Sequence, residues 1–187
     1  MNADFSPPTS DAPEATGSQR AAVLAPLQRC DDGWHLLLIK RATRIGDRHS
    51  GQVAFPGGRV EPEDSSLTAA ALREAEEEIG LPPEKVDVLA QLPDYTTITN
   101  YLVTPVAGIV TSPFEPVLQS AEVSRLFSVP LNWLADPDNH HRRIWQPARP
   151  KVIFFKEWQG ETLWGATAAM TLHLLDAINQ GEVRLPE

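Results

Sequence analysis

The stretch Gly58–Leu81, GRVEPEDSSLTAAALREAEEEIGL, contains the most clearly marked helix of this 187-residue sequence. The side chains of Asp64–Ser66 are typical N-caps, because their oxygens accept hydrogen bonds from the unpaired N–H groups at a helix start. The residues Leu67–Ile79 include no glycine or proline. Gly80 stands where a left-handed C-terminal cap belongs, and Pro82-Pro83 prevents the helix from continuing. The sequence therefore predicts a helix over Leu67–Ile79.

Three glutamates of this helix share one face. Glu74, Glu77 and Glu78 lie at i, i+3 and i+4, so their like charges repel one another unless a cation lies between them. Carboxylate oxygens are the ligands that Mg²⁺ and Mn²⁺ prefer, and proteins often share such ions with substrate phosphates. Arg73 is placed to orient one of the carboxylates by a bidentate contact. The alternative interpretation is a solvated acidic helix face, which is common for a run of charges.

The same stretch resembles the Nudix box. The family pattern is Gly, five residues, Glu, seven residues, Arg-Glu, an apolar residue, any residue, Glu-Glu, any residue, Gly and an apolar residue. Asp64 stands where the first Glu belongs, and eight residues separate it from Arg73, so its role stays open, with Glu61 and Glu63 as substitutes. Ala75 is smaller than the usual aliphatic residue. The matching positions are Gly58, Arg73, Glu74, Glu77, Glu78, Gly80 and Leu81.

Nudix proteins hydrolyse a diphosphate that links a nucleoside to another group, and the resemblance implies this activity here. It also implies an α+β Nudix fold, in which a mixed β-sheet is sandwiched between helices and the box forms a loop–helix–loop catalytic motif. In the family the glutamates bind divalent ions, here Mg²⁺ or Mn²⁺, and a backbone carbonyl at Gly57 or Gly58 completes the coordination. The implied metal ligands are Glu74, Glu77, Glu78 and Gly58, and the implied catalytic residues are Arg73, Glu77, Glu78 and Glu122.

Two of these assignments carry alternatives. Arg73 is expected to hold the glutamates rather than to contact the substrate. Glu122 is a further metal ligand or a general base, because the family often draws an acid from a later loop; otherwise it is a surface acid before a strand.

Upstream of the box, residues 36–58, LLLIKRATRIGDRHSGQVAFPGG, resemble the coenzyme A diphosphatase branch of the family. This branch implies hydrolysis of coenzyme A or its thioesters to 3′,5′-ADP and 4′-phosphopantetheine or its acyl form. Coenzyme A carries a 3′-phosphate beside its diphosphate, and arginines bind phosphate bidentately, so a basic loop suits it; alternatively, the loop balances nearby acids. The loop is longer than usual, so Arg44 or Arg48 fills the second arginine position. The implied substrate-binding residues are Arg41, Arg44, Arg48, Phe55 and Gly57.

Two other functions stay open on the sequence. The same fold with another substrate would hydrolyse ADP-ribose, NADH or a nucleoside triphosphate, which the Phe-Pro-Gly-Gly segment disfavours. A Nudix domain that binds a nucleotide or a protein without hydrolysis is the other alternative. The retained helix glutamates and Arg73 argue against it, because a binding module does not need them.

Over the whole chain the sequence predicts roughly six or seven strands and two main helices, of which Leu67–Ile79 is the first. An Asp-Asp-Gly turn between the apolar runs Ala21–Leu27 and Trp34–Ile39 indicates a hairpin. Because regular crossover helices do not separate the strands, the order favours a mixed sheet in an α+β domain. Further strands are predicted at Val53–Phe55, Val86–Leu92, Tyr101–Val110, Val123–Val129 and Lys151–Trp158, with a short helix at Pro130–Ala135 and a last helix at Ala166–Asn179.

Composition favours one domain over residues 20–187, preceded by a disordered tail at residues 1–19 that is rich in Pro, Ser, Thr and acids. The 16 Lys and Arg against 25 Asp and Glu give a formal charge of −9, which argues against nucleic acid or an anionic membrane surface as partner. No apolar run approaches the roughly 20 residues of a membrane span. We therefore expect a soluble, cytoplasmic protein that acts on a small molecule, with a homodimer as one expected assembly.

Two further features receive structural interpretations. Cys30 is the single cysteine, which excludes an internal disulfide and fits a reducing compartment, and it is predicted to be structural rather than nucleophilic. His140 and His141 are predicted to lie in a surface loop, because their spacing suits no chelate.

Overall fold

The computed structural model describes residues 19–44, 46, 50–144 and 151–186, and within these ranges the chain forms eleven strands and three α-helices. The expected tail lies outside them except for Gln19, where the first strand begins. No helix in the described ranges is long and apolar enough to cross a membrane. The strands are β1 (Gln19–Cys30), β2 (Gly33–Arg41), β3 (Val53–Ala54), β4 (Gly57–Arg59), β5 (Val86–Gln91), β6 (Tyr95–Thr96), β7 (Tyr101–Val110), β8 (Val123–Pro130), β9 (His140–Arg143), β10 (Val152–Trp158) and β11 (Glu161–Trp164), and the helices are α1 (Leu67–Ile79), α2 (Leu131–Ala135) and α3 (Gly165–Asn179).

A mixed eight-stranded sheet forms the centre of the fold. Strand β1 pairs in parallel with β7 on one edge and antiparallel with β2 and β4 on the other. The remaining pairs of this sheet are antiparallel, and β8 extends it beyond β2. The predicted α+β fold with a mixed sheet is confirmed. The sequence did not predict that β9, β10 and β11 form a separate antiparallel sheet.

Alternation along β2 builds two cores, one on each face of the central sheet. Leu36 and Leu38 pack in a cluster that includes the buried residues of α3, whereas Leu37 and Ile39 pack with the buried residues of α1. Because successive side chains of a strand point to opposite faces, a continuous apolar run supplies both clusters. Helices therefore cover both faces, and among the described helices α1 is the one that packs on the face with the glutamates.

Helix α1 has the bounds that its sequence predicts. The Oγ of Ser66 accepts a hydrogen bond from the backbone N–H of Ala69 at 3.0 Å and so caps the first turn. Gly80 adopts φ 69° and ψ 25°, and its N–H donates to the carbonyl of Glu76 at 2.9 Å. The helix buries Ala70, Ala71, Ala75, Glu78 and Ile79. Because alanine side chains are small, this face of the helix packs close to the sheet. Glu78 lies on the same face and is buried with the alanines.

The pair His140 and His141 lies in β9 rather than in the predicted surface loop. These residues pair with Phe155 and Phe154 of β10. The ring centroid of His140 lies 5.2 Å from that of Phe155, and His141 stacks on Phe154 at 6.1 Å. A His-His-Arg-Arg run has little strand propensity of its own, so contacts with the neighbouring aromatic strand account for the difference.

Candidate active site

Glu78 is the most deeply buried of the predicted site acids, with 3% of the residue exposed. The backbone N–H of Gly57 donates a hydrogen bond to its Oε2 at 2.9 Å. Burial raises the pKa of Glu78 to about 7; the charges of Glu74 and Glu122 add to the rise, while the Gly57 N–H and the charge of Arg41 oppose it. The surroundings of Glu78 therefore supply too little positive charge to offset the cost of burying its ionised carboxylate.

Glu74 lies one turn earlier in α1, against Gly58. A Cβ added to Gly58 would lie 2.5 Å from Oε1 of Glu74, so a larger residue at this position would displace the carboxylate. Burial raises the pKa of Glu74, the neighbouring Arg73 lowers it, and the charges of Glu77 and Glu122 raise it further. Gly57 and Gly58, the first residues of β4 and called the glycine turn below, are thus in direct contact with the acidic face of the helix.

Arg73 holds the surrounding acids in place. Its Nε and Nη2 donate to the two carboxylate oxygens of Asp64 at 2.9 and 3.0 Å. Its Nη1 donates to Glu74 and Glu77, both at 3.2 Å, and Nη2 also donates to the carbonyl of Arg59 at 3.1 Å. These contacts use the guanidinium donors within the protein, so Arg73 positions side chains.

Asp64, whose role the sequence left open, is the anchor of Arg73. Its side chain is only 5% exposed and forms the bidentate pair with Arg73, and its Oδ2 also accepts the backbone N–H of Glu61 at 2.8 Å. The hydrogen bonds from Arg73 are the main cause that lowers the pKa of Asp64. Glu61 and Glu63 are exposed. The acid that departs from the family pattern therefore pairs with the arginine, and the two candidate substitutes do not.

Glu122 joins the cluster from the segment just before β8. Its backbone carbonyl accepts the N–H of Ala42 at 2.7 Å, which ties it to the loop after β2. Its carboxylate is 39% exposed and lies 3.6 Å from Nη2 of Arg44. The charge of Glu122 raises the pKa of both Glu74 and Glu78. Glu122, which follows Glu78 by 44 residues in sequence, thus lies near enough to both helix acids to raise their pKa values.

The predicted substrate-binding residues have different surroundings. Arg41 ends β2, and its charge acts on Glu78; Arg44 follows it and is 47% exposed. Arg48 lies outside the described residues. Phe55 requires a correction: it is 2% exposed and packs in the core on the α3 side of the sheet, opposite the glutamates. Its ring therefore packs on the opposite side of the sheet from the acids.

A buried acid of β11 was not predicted. Glu161 is 9% exposed, and its Oε1 accepts hydrogen bonds from Lys40 Nζ at 3.0 Å and Arg125 Nη1 at 3.3 Å. These pairs join the three-stranded sheet to the central one. A single glutamate in a short strand carries no sequence signal for such a role. Lys40, the next-to-last residue of β2, thus balances an acid, as the alternative interpretation of the basic segment predicts.

Comparison with known proteins identifies the family. The protein-family model described as "NUDIX domain" matches residues 18–149 of this chain. A protein of Photorhabdus laumondii named "Uncharacterized Nudix hydrolase NudL" is 37% identical over 162 residues, which cover 86% of each chain. The protein of the same name from Cronobacter sakazakii is 39% identical over 165 residues, covering 88% of this chain and 84% of its own.

Solved structures show the same fold at lower identity. The Nudix hydrolase RenU of M. smegmatis superposes with a TM-score of 0.62 at 21% identity, covering 91% of this chain and 90% of its own. A binary complex of a C. elegans Ap4A hydrolase gives a TM-score of 0.52 at 19% identity, covering 60% and 80%. At these identities the likeness bears on the fold alone.

Replacement of Asp64 by Asn should lower the free energy of unfolding at neutral pH by about 1–3 kcal/mol, because a charge-assisted pair is lost from a nearly buried position. Pairing lowers the folded-state pKa of Asp64. Its stabilisation is therefore present above the unfolded value of about 3.9 and disappears as the pH falls through the folded value, where wild type and variant should converge. Urea unfolding across acidic and neutral pH measures this. Glu63→Gln, in the same loop but exposed, is the control, and an equal loss in it would contradict the anchoring role.

In the metal-free protein, Glu78→Gln should raise the free energy of unfolding at about pH 8. The folded-state pKa of about 7 lies above the unfolded value of about 4.3, so ionisation of Glu78 costs stability as the pH rises through this window. Glutamine keeps an acceptor for the Gly57 N–H but carries no charge. Below about pH 4 the two proteins should be equally stable. Urea unfolding with a chelator present measures both conditions, and the exposed Glu76→Gln is the control. If Glu78→Gln lowers the free energy of unfolding at about pH 8, burial of this charge does not cost stability.

Proposed function

Because this chain belongs to the Nudix domain family, we propose that it is a divalent-metal-dependent Nudix hydrolase that cleaves the diphosphate of coenzyme A or its thioesters. The products are 3′,5′-ADP and 4′-phosphopantetheine or its acyl form. The observation that carries hydrolysis is the cluster of Glu74, Glu78 and Glu122, in which burial and mutual repulsion raise the pKa of both helix carboxylates. A site that only bound an anionic nucleotide would gain nothing from this arrangement, so the non-catalytic alternative has less support.

A divalent cation fits this cluster. Nudix hydrolases generally use divalent metal ions, and all the donors here are oxygens, which suits Mg²⁺ or Mn²⁺. A cation would offset the burial and the mutual repulsion that raise the pKa of Glu74 and Glu78, and it would reverse the sign of the charge that a diphosphate meets. We assign its binding to Glu74, Glu77, Glu78 and the carbonyl of Gly58. A bound ion of this kind lowers the pKa of a coordinated water and stabilises charge on the phosphorus and the leaving oxygen.

The residues of the chain itself set the geometry of the reaction. The N–H of Gly57 fixes one oxygen of Glu78 and hence the orientation of its carboxylate. Arg73 is a positioning residue, since it holds Glu74 and Glu77. Glu122 differs from the helix acids that Arg73 holds: in the described part of the chain it has no hydrogen bond with Arg73, and its carboxylate is partly exposed. We assign Glu122 the role of general base or further metal ligand.

Coenzyme A is favoured as substrate by the basic loop beside the cluster. Its 3′-phosphate adds charge that ADP-ribose and NADH lack at that position. Arg44 is half exposed beside Glu122, so it is placed to meet a second phosphate next to the reacting diphosphate, and Arg41 lies nearer to Glu78. Together with Arg48, these residues form the set that we assign to substrate binding. Another nucleoside diphosphate derivative is the alternative substrate on the same catalytic cluster.

Glu78→Gln should reduce hydrolysis about 100-fold or more, the scale of a lost electrostatic contact with a transition state, while the fold is retained. Glu76→Gln changes the same residue type on the exposed side of the same helix and should keep wild-type activity. Phosphate-ester products are measured by chromatography with Mg²⁺ or Mn²⁺, and a chelator should stop the reaction. Circular dichroism checks folding of each variant. Full activity in Glu78→Gln would refute its place in the site.

Coenzyme A should be cleaved faster than dephospho-coenzyme A, ADP-ribose, NADH or a nucleoside triphosphate, and Arg44→Gln should remove this preference. The variant should raise KM for coenzyme A about 10-fold, equivalent to about 1.4 kcal/mol, and leave dephospho-coenzyme A nearly unchanged. Arg29→Gln is the control, because Arg29 lies over the ring of Trp34 at the far end of β1. A preference for another diphosphate would keep the catalytic cluster and refute the coenzyme A assignment, and no hydrolysis of any substrate would refute the hydrolase proposal.

A further inference from the structure

We propose that Cys30, Asp32 and His35 form a site for a transition-metal ion, Zn²⁺ by the chemistry of its ligands, at the tip of the β1–β2 hairpin. One ligand atom from each residue, a thiol sulfur, a carboxylate oxygen and an imidazole nitrogen, lies within 4.8 Å of the others. Sulfur, nitrogen and oxygen together are the donor set that zinc accepts and that Mg²⁺ does not prefer. The site goes beyond the proposed hydrolase and uses none of its residues.

The backbone of the hairpin brings the three residues together. Cys30 is paired with Gly33, and Gln28 is paired with His35. Residues that face each other across two antiparallel strands share a side of the sheet, so Cys30 and His35 are diagonal neighbours on one side. Gly33 has no side chain to intervene, and Asp32 lies in the turn between the strands. The three ligands thus lie within the six-residue segment Cys30–His35, which the pairing of β1 with β2 holds together.

The imidazole of His35 is oriented by Ser128, which contacts the ring nitrogen that faces away from Asp32. The ring is buried, its Nδ1 lies 3.1 Å from Oγ of Ser128, and its Nε2 lies 2.7 Å from Oδ1 of Asp32. Without an ion, the 2.7 Å contact requires Nε2–H to donate to the carboxylate of Asp32; a bound ion would take the place of that proton, and Nδ1–H would then donate to Oγ of Ser128. Metal-binding histidines almost always have such a partner on the second nitrogen, because it fixes the ring and the tautomer.

The spacing suits a small tetrahedral ion. Two ligands of tetrahedral zinc are separated by about 3.3–3.8 Å, given metal–ligand distances of about 2.0–2.3 Å. The Asp32–His35 contact would open from 2.7 Å by about 0.6–1.1 Å, and the sulfur, which lies within 4.8 Å of the other two ligand atoms, would approach by at most about 1.5 Å. Asp32 borders an open depression of the surface that Asn132, Trp133, Asp136 and Trp158 also line. Its side chain is 67% exposed, so an ion can reach it from solvent and water can supply a fourth ligand.

Cobalt provides the test, because a thiolate bound to Co²⁺ gives a charge-transfer absorption that oxygen ligands do not. Cys30 is the only cysteine of the chain, so this band reports on the hairpin alone. Co²⁺ is titrated into the full-length protein with excess Mg²⁺ to occupy the glutamate cluster, and Zn²⁺ is then added in competition. We expect one equivalent of Co²⁺ to produce the band and one equivalent of Zn²⁺ to remove it.

Matched variants assign the ligands. Asp32→Asn and His35→Gln should weaken Co²⁺ binding, whereas Asp31→Asn, the same change at the adjacent turn residue outside the cluster, should not. Ser128→Ala should weaken it about 10- to 100-fold, as for other second partners of metal-bound histidines. Circular dichroism and urea unfolding confirm that each variant is folded. Equal effects of Asp31→Asn and Asp32→Asn would overturn the site, because they would indicate general charge rather than coordination.

A measurement on the wild-type protein avoids dependence on any variant. Zn²⁺ bound to Cys30 should slow alkylation of its thiol at least 10-fold, and Mg²⁺ should not. Absence of both the cobalt band and this protection would overturn the proposal, and the cluster would then be a hydrogen-bonded hairpin turn only. Neither readout depends on hydrolysis, so failure here and failure of the proposed function are distinguishable.

Discussion

The hydrogen bond from the N–H of Gly57 to the buried carboxylate of Glu78 is the contact on which the candidate site depends. It joins the glycine turn to the last turn of α1, across the surface of the central sheet. Gly57 has φ 153°, and an added Cβ would lie 2.5 Å from the carbonyl oxygen of Ala22 and from Cα of Val23. Only glycine allows this approach. One packing constraint, the close approach of α1 to the glycines, therefore explains three features. These are the glycine turn, the small residues on the buried side of α1 and the buried acid.

The charges around this contact are distributed unevenly. Arg73 neutralises Asp64 on one side and shares its Nη1 donors between Glu74 and Glu77. Glu78 receives a backbone N–H and only the more distant influence of Arg41, and burial raises its pKa to about 7. The deficit of positive charge is therefore localised where Glu74 and Glu78 lie closest to the glycine turn. A cation bound there would supply the missing positive charge. An anionic diphosphate could then approach a protein whose net charge is −9.

Local signals were sufficient to predict α1 and insufficient for what surrounds it. The Ser66 cap and the left-handed Gly80 are contacts between residues one turn apart, so the sequence contains all the information they need. The pairing of Asp64 with Arg73 depends on how the preceding loop closes, which an eight-residue spacing does not specify. Phe55 could be predicted to be apolar and adjacent to the turn, but its side of the sheet follows only once α1 is known to cover the opposite face. Strand β9 exists because β10 pairs with it, and no pattern within His140–Arg143 encodes that partner.

Strand β2 separates two kinds of ligand chemistry. Its last residue, Arg41, lies near the glutamate cluster, and its first, Gly33, lies at the hairpin turn, roughly 25 Å away along nine residues of extended chain. This distance is about three times the Debye length of about 8 Å at physiological salt, so charge bound at one end has little direct effect on ionisation at the other. The cluster at one end offers only oxygens and suits a hard cation, whereas the hairpin adds sulfur and imidazole nitrogen and suits zinc. The same strand therefore supports two sites that do not compete for one ion. A metal at the hairpin would act on the stability of the sheet, while the chemistry of the diphosphate would be set by α1 and the glycine turn.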